Sequence, residues 1–545
     1  MRSCVFVLCT LLVPSFFLTT LAAQRRLPHI AAPNGRIGVS AEPINVLTYH
    51  DDSMRTGLMP LETTLTLTNV NSTNFGKVNL LSTDGKVDAE PLYASNVTIN
   101  SVIHNVVYVV SEHDSIYAFD ADTGTQLWKT TALLQGEITS DPHNCGQISP
   151  EIGIPDTPVI DRNKGPNGAI YFVAMSKDSS SVYHQRLHAL DLTTGAELFS
   201  GPVDIQAKYP GTGDGSQNGF VVFAPYQYAE RAGLLEVAGN IYLAFTSHCD
   251  QRPYTGWVMQ YSAANLAQLS VIDVTPNGNE GSIWQTGAGI AADSDGFLYF
   301  LDANGTFDTT LDGNGFPING DYGNAFMKLS GSGALAVVDY FNTFNTVQES
   351  NADIDLGSGG ALVLPDVSVS LGQRIHLVVG AGKDGNIYVA SRDNMGKWNP
   401  NNNNGLYQQL TAALPNGAWS MPAYFFNTVY FGGVSDNIKA FPIVNGKLAA
   451  SPSSKTSTSF TYPGATPSIS ANFSQNGILW AIENTSPAVL HAYNALNLTQ
   501  ELYNSNQQGS RDQFGPGNKF ITPMIANGRV YVGTQTGVAV FGLLQ

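Results

Sequence analysis

The sequence predicts an all-β protein, built as a single closed β-propeller of eight blades, with seven blades as the alternative. Short apolar stretches with the alternation of half-buried strands recur along most of the 545 residues. Glycine, at 54 residues, is abundant between these stretches, as tight turns require. A repeat without long amphipathic helices between its copies is typical of a propeller.

The clearest copy of the repeat is VVYVVSEHDSIYAFDADTGTQLW, which ends at Trp128. Two strands are followed by an Asp-Ala-Asp-Thr-Gly turn, where Asp side chains accept turn amides and Gly supplies a positive φ. A second copy ends at Phe199. Six weaker copies bring the number to eight and are centred on residues 239–245, 296–302, 374–390, 427–441, 476–483 and 527–541.

The last copy ends close to the C-terminus, after two strands and without an outer partner. The segment NFGKVNLL at 74–81 precedes the first copy and can supply that missing strand. Such a pairing closes a propeller and removes its strand edges. We therefore expect one propeller domain over residues 45–545.

The N-terminus has the pattern of an export signal. Residues 1–23 combine Arg2, an apolar run and a small-residue exit at Ala22–Ala23. We expect a cleaved signal peptide there, followed by a flexible leader over 24–44. No later apolar run is long enough to span a bilayer. The mature protein is therefore expected to be secreted or periplasmic.

The composition favours a well-buried globular protein. Apolar residues make up 43% of the chain and charged residues 13%, and the net charge is −17. That charge argues against nucleic acid as a partner. Two cysteines, Cys145 and Cys249, lie outside the signal. In an exported chain they can form a disulfide, and two buried thiols are the alternative.

The repeat YAFDADTGTQLW resembles the repeat of the quinoprotein alcohol dehydrogenases. These are eight-bladed propellers that bind pyrroloquinoline quinone (PQQ) and Ca²⁺. The resemblance covers nearly the whole mature chain. The segment NVLTYHDDSMRTG at 45–57 is similar to the opening segment of that family, and segments that match its site follow in the same order.

The resemblance implies a metal site and a catalytic group. Asp250, Asn304 and Asp353 match the calcium ligands, and oxygen donors of this kind suit a hard divalent cation. Asp353 or Asp355 matches the catalytic aspartate, which takes the alcohol proton while hydride moves to the cofactor. Lys383 matches the basic residue that contacts the quinone carbonyls and stabilises a developing oxyanion.

The resemblance also implies residues that bind the cofactor. Trp284 matches the tryptophan on which the quinone stacks, and NGAWSMPAY supplies Asn416 and Trp419 as further contacts, beside Lys383. Two positions depart from the pattern of the family. Cys145 is followed by glycine where the family has a second cysteine, and Glu151 stands where an arginine is expected to hold a quinone carboxylate.

Each of these residues also has an ordinary interpretation, such as blade packing for tryptophan or turn capping for aspartate. The function therefore stays open between two classes. One is a binding or scaffold propeller without a cofactor, whose protein or glycan ligand contacts exposed aromatics such as Tyr226, Tyr228 and Tyr254. The other is a PQQ- and calcium-dependent dehydrogenase of an alcohol or carbohydrate. A polysaccharide-active enzyme is a weaker third alternative.

Overall fold

The computed structural model describes residues 43–369 and 372–544. The predicted signal peptide, and the predicted leader up to residue 42, lie outside the described residues. Pro43–Gln545 form one compact unit. Within its described part the one α-helix is Thr346–Asn351, and short 3-10 turns cover Pro225–Gln227, Gln285–Gly287, Leu356–Ser358 and Gly509–Arg511. The predicted all-β class is confirmed.

Eight sheets of four or five strands follow one another along the described chain. Sheets 1 to 4 consist of the following strands: Asn45–Val46, Leu92–Ile99, Val102–Val110, Ser115–Asp120 and Gln126–Thr131; Ile138–Thr139, Val159–Asp161, Ala169–Lys177, Tyr183–Asp191 and Val203–Asp204; Tyr228–Glu230, Leu235–Val237, Asn240–Ser247, Trp257–Ser262 and Gln268–Asp273; Ala291–Ala292, Phe297–Leu301, Phe326–Ser330 and Ala336–Phe341.

Sheets 5 to 8 complete the series with the following strands: Leu362–Val363, Leu377–Ala381, Ile387–Ser391 and Gln408–Leu410; Ala423–Phe425, Thr428–Gly432, Asp436–Val444, Lys447–Leu448 and Ser454–Phe460; Leu58–Met59, Ser468–Asn472, Gln475–Glu483, Val489–Asn494 and Glu501–Asn504; Phe75–Ser82, Met524–Ala526, Arg529–Thr534 and Gly537–Leu543. Two small sheets, Lys208–Pro210 with Ser216–Gln217 and Phe220–Val222, and Val367–Ser368 with Arg374–Ile375, lie between them.

Each of the eight sequence copies contributes a long buried strand to a different one of these sheets. The stretch NIYLAF forms Asn240–Ser247 in sheet 3, for example, and NGILWAIE forms Gln475–Glu483 in sheet 7. Their central residues are apolar and buried, because such a strand is packed against neighbouring sheets on both faces. The number of blades stays a prediction, which these eight sheets support.

The predicted closing strand is confirmed. Phe75–Ser82 pairs antiparallel with Gly537–Leu543, the last described strand of the chain, from Phe75 opposite Leu543 to Ser82 opposite Gly537. Pairing the N-terminal segment with the C-terminal strand covers an edge that would otherwise expose unpaired backbone groups. The two ends of the repeat are thereby held in one sheet.

The first strands of neighbouring sheets contact each other, for example Ala423–Phe425 with Ser468–Asn472, and Ser468–Asn472 with Met524–Ala526. These strands therefore lie innermost. The loops that lead into them emerge together at one end of the sheets, along with the loops that join the second long strand to the third. That end carries the irregular segments of the chain and the candidate site.

Candidate functional site

A cavity of about 340 Å³ opens at this end of the sheets. Its wall comes from the loops that precede the first strands, including Trp284, Trp419 and Phe520, and from the loops that follow the second strands, including Asp250 and Lys383. Cavities of this size bind small molecules. The cavity thus draws its residues from many different sheets.

Six of the eight residues that the resemblance implicates line this one cavity. They are Asp250, Trp284, Asp353, Asp355, Lys383 and Trp419. Asn304 lies directly behind the lining, where its Nδ2 donates to Asp353 Oδ1 at 2.9 Å. Asn416 is not brought to the others: it is exposed, and it precedes Gly417, whose φ of +82° turns the chain before Trp419.

The Lys383 ammonium lies between two carboxylates. Its Nζ is 2.6 Å from Asp353 Oδ1 and 2.6 Å from Asp355 Oδ2. Burial by itself would lower the pKa of Lys383, but the charges of Asp355 and Asp353 outweigh it and raise that pKa. Lys383 therefore carries a positive charge at neutral pH and faces the cavity with it.

The two aspartates differ in exposure. The Asp353 side chain is 71% exposed, whereas that of Asp355 is 8% exposed. Burial raises the pKa of Asp355, against the effect of Lys383 and of the Asn304 backbone amide, which donates to its Oδ1 at 2.8 Å. Asp353 uses Oδ1 for Asn304 and Lys383, and no described residue bonds its Oδ2. Asp353 can therefore receive a proton from a ligand, and Asp355 fixes the position of Lys383.

A disulfide joins Cys145 to Cys249 across 104 residues, with the two Cα atoms 5.6 Å apart, and both cysteines line the cavity. The question that the sequence left open is thereby answered in favour of pairing. The bond ties the segment between Ile138–Thr139 and Val159–Asp161 of sheet 2 to the loop that follows Asn240–Ser247. The position where the family has two adjacent cysteines thus also carries a disulfide here, with a distant partner.

Two histidines accompany the disulfide. The rings of His143 and His248 are stacked, with centroids 4.1 Å apart. Burial lowers the pKa of His248 to about 3, and the neighbouring His143 contributes to this shift. His248 lines the cavity and is neutral at physiological pH, so it adds surface for packing without adding charge.

Aromatic rings form much of the remaining wall. Trp284 packs edge-on against Phe520 with centroids 6.1 Å apart, and Trp419 packs against Tyr462 at 6.0 Å. Tyr462 and Phe520 are themselves 6.3 Å apart, so the four rings form a continuous series. Such a wall offers flat apolar surface to an aromatic ligand.

Several non-glycine residues at the cavity adopt left-handed backbone conformations. Positive φ values are found for Cys249, Asp250, Gln285, Thr286 and Asp353. Each costs on the order of 1 kcal/mol, and such residues tend to cluster at functional sites. At Gln285 the side chain fixes this conformation, because its Oε1 accepts the backbone amide of Leu301 at 3.1 Å. The strained turn presents the Trp284 ring to the cavity.

The predicted calcium ligands are only partly arranged for a metal ion. Among the described residues, no group of three or more His, Cys, Asp or Glu side chains could hold one. Asp250 Oδ1 is bonded to Ser247 and Tyr254, and Lys383 engages Asp353. One oxygen is available as a metal ligand: the buried Asn304 Oδ1 lacks a hydrogen-bond partner in the described part of the chain.

Two expectations about neighbouring residues need correction. Tyr228 and Tyr254 are each 2% exposed, because they pack in the core of sheet 3, and only Tyr226, at 50%, is an exposed loop aromatic. Glu151 is absent from the cavity lining. Its carboxylate accepts from His113 at 3.0 Å and from Thr139 at 2.8 Å, so it does not oppose an anionic ligand.

Sequence reasoning missed Arg231, His248, Tyr462, Lys519 and Phe520, all of which line the cavity. A positional signal could have found them. Tyr462, Lys519 and Phe520 lie before the first long strand of their sheets, and His248 lies in the loop that follows Asn240–Ser247. Arg231 lies where the innermost strand of sheet 3 is interrupted, between Tyr228–Glu230 and Leu235–Val237. Residues at those positions of every copy point to the same end of the molecule, whatever their type.

No protein-family model and no curated protein sequence matches the chain. Solved structures do. The quinohemoprotein alcohol dehydrogenase of Comamonas testosteroni has a TM-score of 0.58 at 13% identity, over 92% of this chain and 80% of that one. A europium-containing methanol dehydrogenase has a TM-score of 0.58 at 12% identity, over 92% and 98%.

A second quinohemoprotein alcohol dehydrogenase, from Pseudomonas putida HK5, has a TM-score of 0.56 at 14% identity, over 92% of this chain and 80% of that one. At such low identity these likenesses establish the fold alone. The chain therefore has the β-propeller fold of the quinoprotein dehydrogenases. No helix among its described residues is both long and apolar enough to cross a membrane.

Proposed function

We propose that the protein binds a pyrroloquinoline quinone-type cofactor in this cavity and oxidises an alcohol or a carbohydrate hydroxyl. One observation carries the proposal. Asp250, Trp284, Asp353, Asp355 and Lys383 come from four separate stretches of the sequence and line one cavity. As isolated residues each has a structural explanation, but their meeting in one place does not follow from turn capping or blade packing.

The cavity suits a planar, anionic cofactor. Trp284 and the Cys145–Cys249 disulfide supply surfaces that can face an aromatic ring system, and Arg231, Lys383 and Lys519 supply positive charge. A bound quinone of this kind supplies the two-electron acceptor for the hydride that leaves the alcohol carbon. The rest of the chemistry belongs to the side chains of the chain.

Three of those side chains have different roles in the proposed reaction. Asp353 Oδ2 takes the hydroxyl proton of the alcohol, because no described residue bonds this oxygen and the other oxygen of the same carboxylate is held by Asn304 and Lys383. The Lys383 ammonium stabilises negative charge that develops beside it. Asp355 is a positioning residue: it is buried, is bonded to the Asn304 amide and holds Lys383 in place. No step is assigned to calcium, because its ligands are incompletely arranged.

Reconstitution tests the proposal. The purified protein is incubated with PQQ, with and without Ca²⁺, and dye reduction is measured with a panel of alcohols and sugars. We expect turnover that Asp353→Asn lowers at least a hundredfold with KM little changed, because a general base acts on the transition state. Asp393→Asn is the matched control, since Asp393 is 68% exposed and pairs with His376 away from the cavity.

Two outcomes would overturn the proposal. The first is the absence of PQQ binding at micromolar concentrations, in which case a binding propeller with a protein or glycan ligand becomes the better account. The second is binding without turnover on any alcohol or sugar of the panel. A rate that is equal in Asp353→Asn and in Asp393→Asn would instead remove Asp353 from the role of base.

A further inference from the structure

Arg231 is a buried cation without a carboxylate partner at the wall of the cavity. It is 8% exposed, and its Nη1 donates to the Pro155 carbonyl oxygen at 3.0 Å. No ion pair joins its guanidinium to a carboxylate among residues 43–369 and 372–544. Nearby carboxylates, including that of Asp88, interact with the guanidinium electrostatically but do not bond to it. Its remaining donors are available to a ligand.

The backbone beside Arg231 is shaped to admit the guanidinium. A Cβ on Gly287 would lie 2.4 Å from Arg231 Nη1 and 2.9 Å from its Cζ, and Gly287 has a φ of +92°. Only glycine combines that conformation with that space. Gly287 ends the turn that begins at Trp284, so a single turn positions both the aromatic ring and the cation.

Lys519 is the second cation of the cavity that lacks an ion pair in the described chain. Its Nζ is 3.4 Å from Gln147 Oε1, and it lies 5.8 Å from the centre of the Tyr462 ring. Gln147 and Tyr462 both line the cavity. The ammonium is therefore held over the aromatic wall by a weak hydrogen bond and a cation–π contact, which leaves it free to bind an anion.

The other charges of the cavity are largely engaged within the protein. Lys383 is bonded to Asp353 and Asp355, and Asp88 is paired with Lys86 at 2.9 Å. Arg231 and Lys519 are thus the cations left for an incoming group. Arg231 packs against the turn that ends at Gly287, whereas Lys519 lies over the Tyr462 ring, so the two cations belong to different loops of the wall.

We propose that Arg231 and Lys519 each bind one carboxylate of the ligand, so that the cavity selects planar aromatic compounds with at least two carboxylates. This inference rests on the proposed function, because PQQ is such a compound. It assigns to Arg231 the role that the resemblance expected at the position of Glu151. A guanidinium can hold a carboxylate through two parallel hydrogen bonds, which gives Arg231 the larger share of the selectivity.

The test measures binding by the quenching of tryptophan fluorescence and by calorimetry, without reference to turnover. The probes are PQQ, its uncharged trimethyl ester, a naphthalene dicarboxylate and the corresponding neutral diamide. The variants are Arg231→Gln, Arg231→Lys and Lys519→Met. Lys447→Met is the matched control, because its ammonium also lies over a tyrosine ring, at 5.7 Å from Tyr407, outside the cavity.

We expect Arg231→Gln to weaken binding of the two carboxylate probes ten- to a hundredfold, as the loss of a charged hydrogen-bonding partner does. Arg231→Lys should restore part of the loss. Lys519→Met should weaken binding about fivefold, and Lys447→Met should not change it. The ester and the diamide should bind weakly to every variant. Unfolding curves of each variant show that the fold is retained.

The outcomes separate this inference from the proposed function. If the naphthalene dicarboxylate binds in an Arg231-dependent way while PQQ does not bind, the selectivity stands and the quinone proposal fails. If PQQ and its ester bind equally and Arg231→Gln weakens neither, the quinone proposal survives and this inference is overturned. If none of the probes binds to the wild-type protein, both fail.

Discussion

Two of the Asp-x-Asp segments of the chain, at Asp120–Asp122 and Asp353–Asp355, share this spacing but differ in their surroundings. In the turn of the first repeat, Asp120 Oδ1 accepts the backbone amides of Asp122 at 3.1 Å and of Thr123 at 2.8 Å. These partners are the next residues of the same turn. The segment therefore stabilises itself, and the sequence alone predicts what its aspartates do.

The second segment, at the cavity, obtains its partners from elsewhere. Asp355 accepts from the backbone amide of Asn304, which is 51 residues away, and from Lys383, which belongs to the next sheet. Asp353 shares both residues as partners. The same spacing thus makes a turn in one region and a site in the other. A site therefore depends on the assembly of distant segments, whereas a turn does not.

The largest expected effect concerns the covalent tie between two cavity loops. The double variant Cys145→Ser, Cys249→Ser should lower the free energy of unfolding by about 4 kcal/mol, because the disulfide closes a loop of about 100 residues. Urea unfolding measures the change. Reduction of the wild-type protein should give the same midpoint as the double variant. An unchanged midpoint in both would show that the cavity end is held without the disulfide.

The second largest effect is a difference between the ion pairs of the two regions in how much they stabilise the fold. Lys383→Met should lower the free energy of unfolding by about 3 kcal/mol, since it leaves the buried Asp355 carboxylate without its cation. Lys129→Met in the first repeat should cost less than about 1 kcal/mol, because Lys129 and Asp84 are 39% and 28% exposed. Denaturant unfolding of the two variants side by side checks the difference. Equal losses would contradict it.

The turn itself should show a smaller and strictly local effect. Asp120→Ala should lower the free energy of unfolding by about 2 kcal/mol, because Asp120 accepts two backbone amides and its Oδ2 pairs with His104 at 2.6 Å. Asp122→Ala should change it by less than about 0.5 kcal/mol. Neither variant should alter ligand binding at the cavity, which the fluorescence titration measures. A loss of binding would mean that the two regions are coupled.

The smallest effect is a difference in pH dependence between Asp120 and Asp355. The pKa of Asp120 is lowered: burial opposes the shift, but the bonds to His104 and Thr123 outweigh burial. Its stabilising contribution is therefore present above the unfolded pKa of about 3.9 and is lost as pH falls through the lowered value. The advantage of wild type over Asp120→Asn should shrink on acidification.

For Asp355 the sign is opposite. Burial raises its pKa, so the folded state binds more protons than the unfolded state between about pH 3.9 and the raised value. The stability of wild type relative to Asp355→Asn should therefore fall as pH rises through that window. Unfolding curves from pH 3 to pH 8 for both variants measure the two slopes. Slopes of the same sign would contradict the distinction between the two segments.

Much of the fold follows from the sequence. The turn residues and the two-residue alternation mark each copy, and the unpaired last copy identifies a closing strand at 74–81, which the structure has at Phe75–Ser82, paired with Gly537–Leu543. These features depend on local patterns or on a simple count of strands. The strand that is missing at one end of the chain must come from the other.

The candidate site can be predicted from the sequence only in part. The resemblance identified Asp250, Trp284, Asp353, Asp355 and Lys383, which the cavity brings together. It did not identify Arg231 or Lys519, since a single basic residue in a loop has no sequence motif, and only its position relative to the strands of its copy points to the cavity. The pairing of Cys145 with Cys249 likewise depends on which two loops meet at the end of the sheets. Which loops come into contact is determined by the packing of whole sheets, which local sequence patterns do not reveal.

Two tryptophans, one at the cavity and one in the first repeat, allow a direct test of cofactor binding. PQQ is titrated by calorimetry into wild type, Trp284→Ala and Trp128→Ala. Trp284 lines the cavity, whereas Trp128 belongs to the first repeat, where its Nε1 donates to the Leu192 carbonyl at 3.1 Å. We predict one site with micromolar affinity in wild type and in Trp128→Ala, weakened at least tenfold in Trp284→Ala. Equal affinities in the two variants, or no binding to the wild-type protein, would contradict the account.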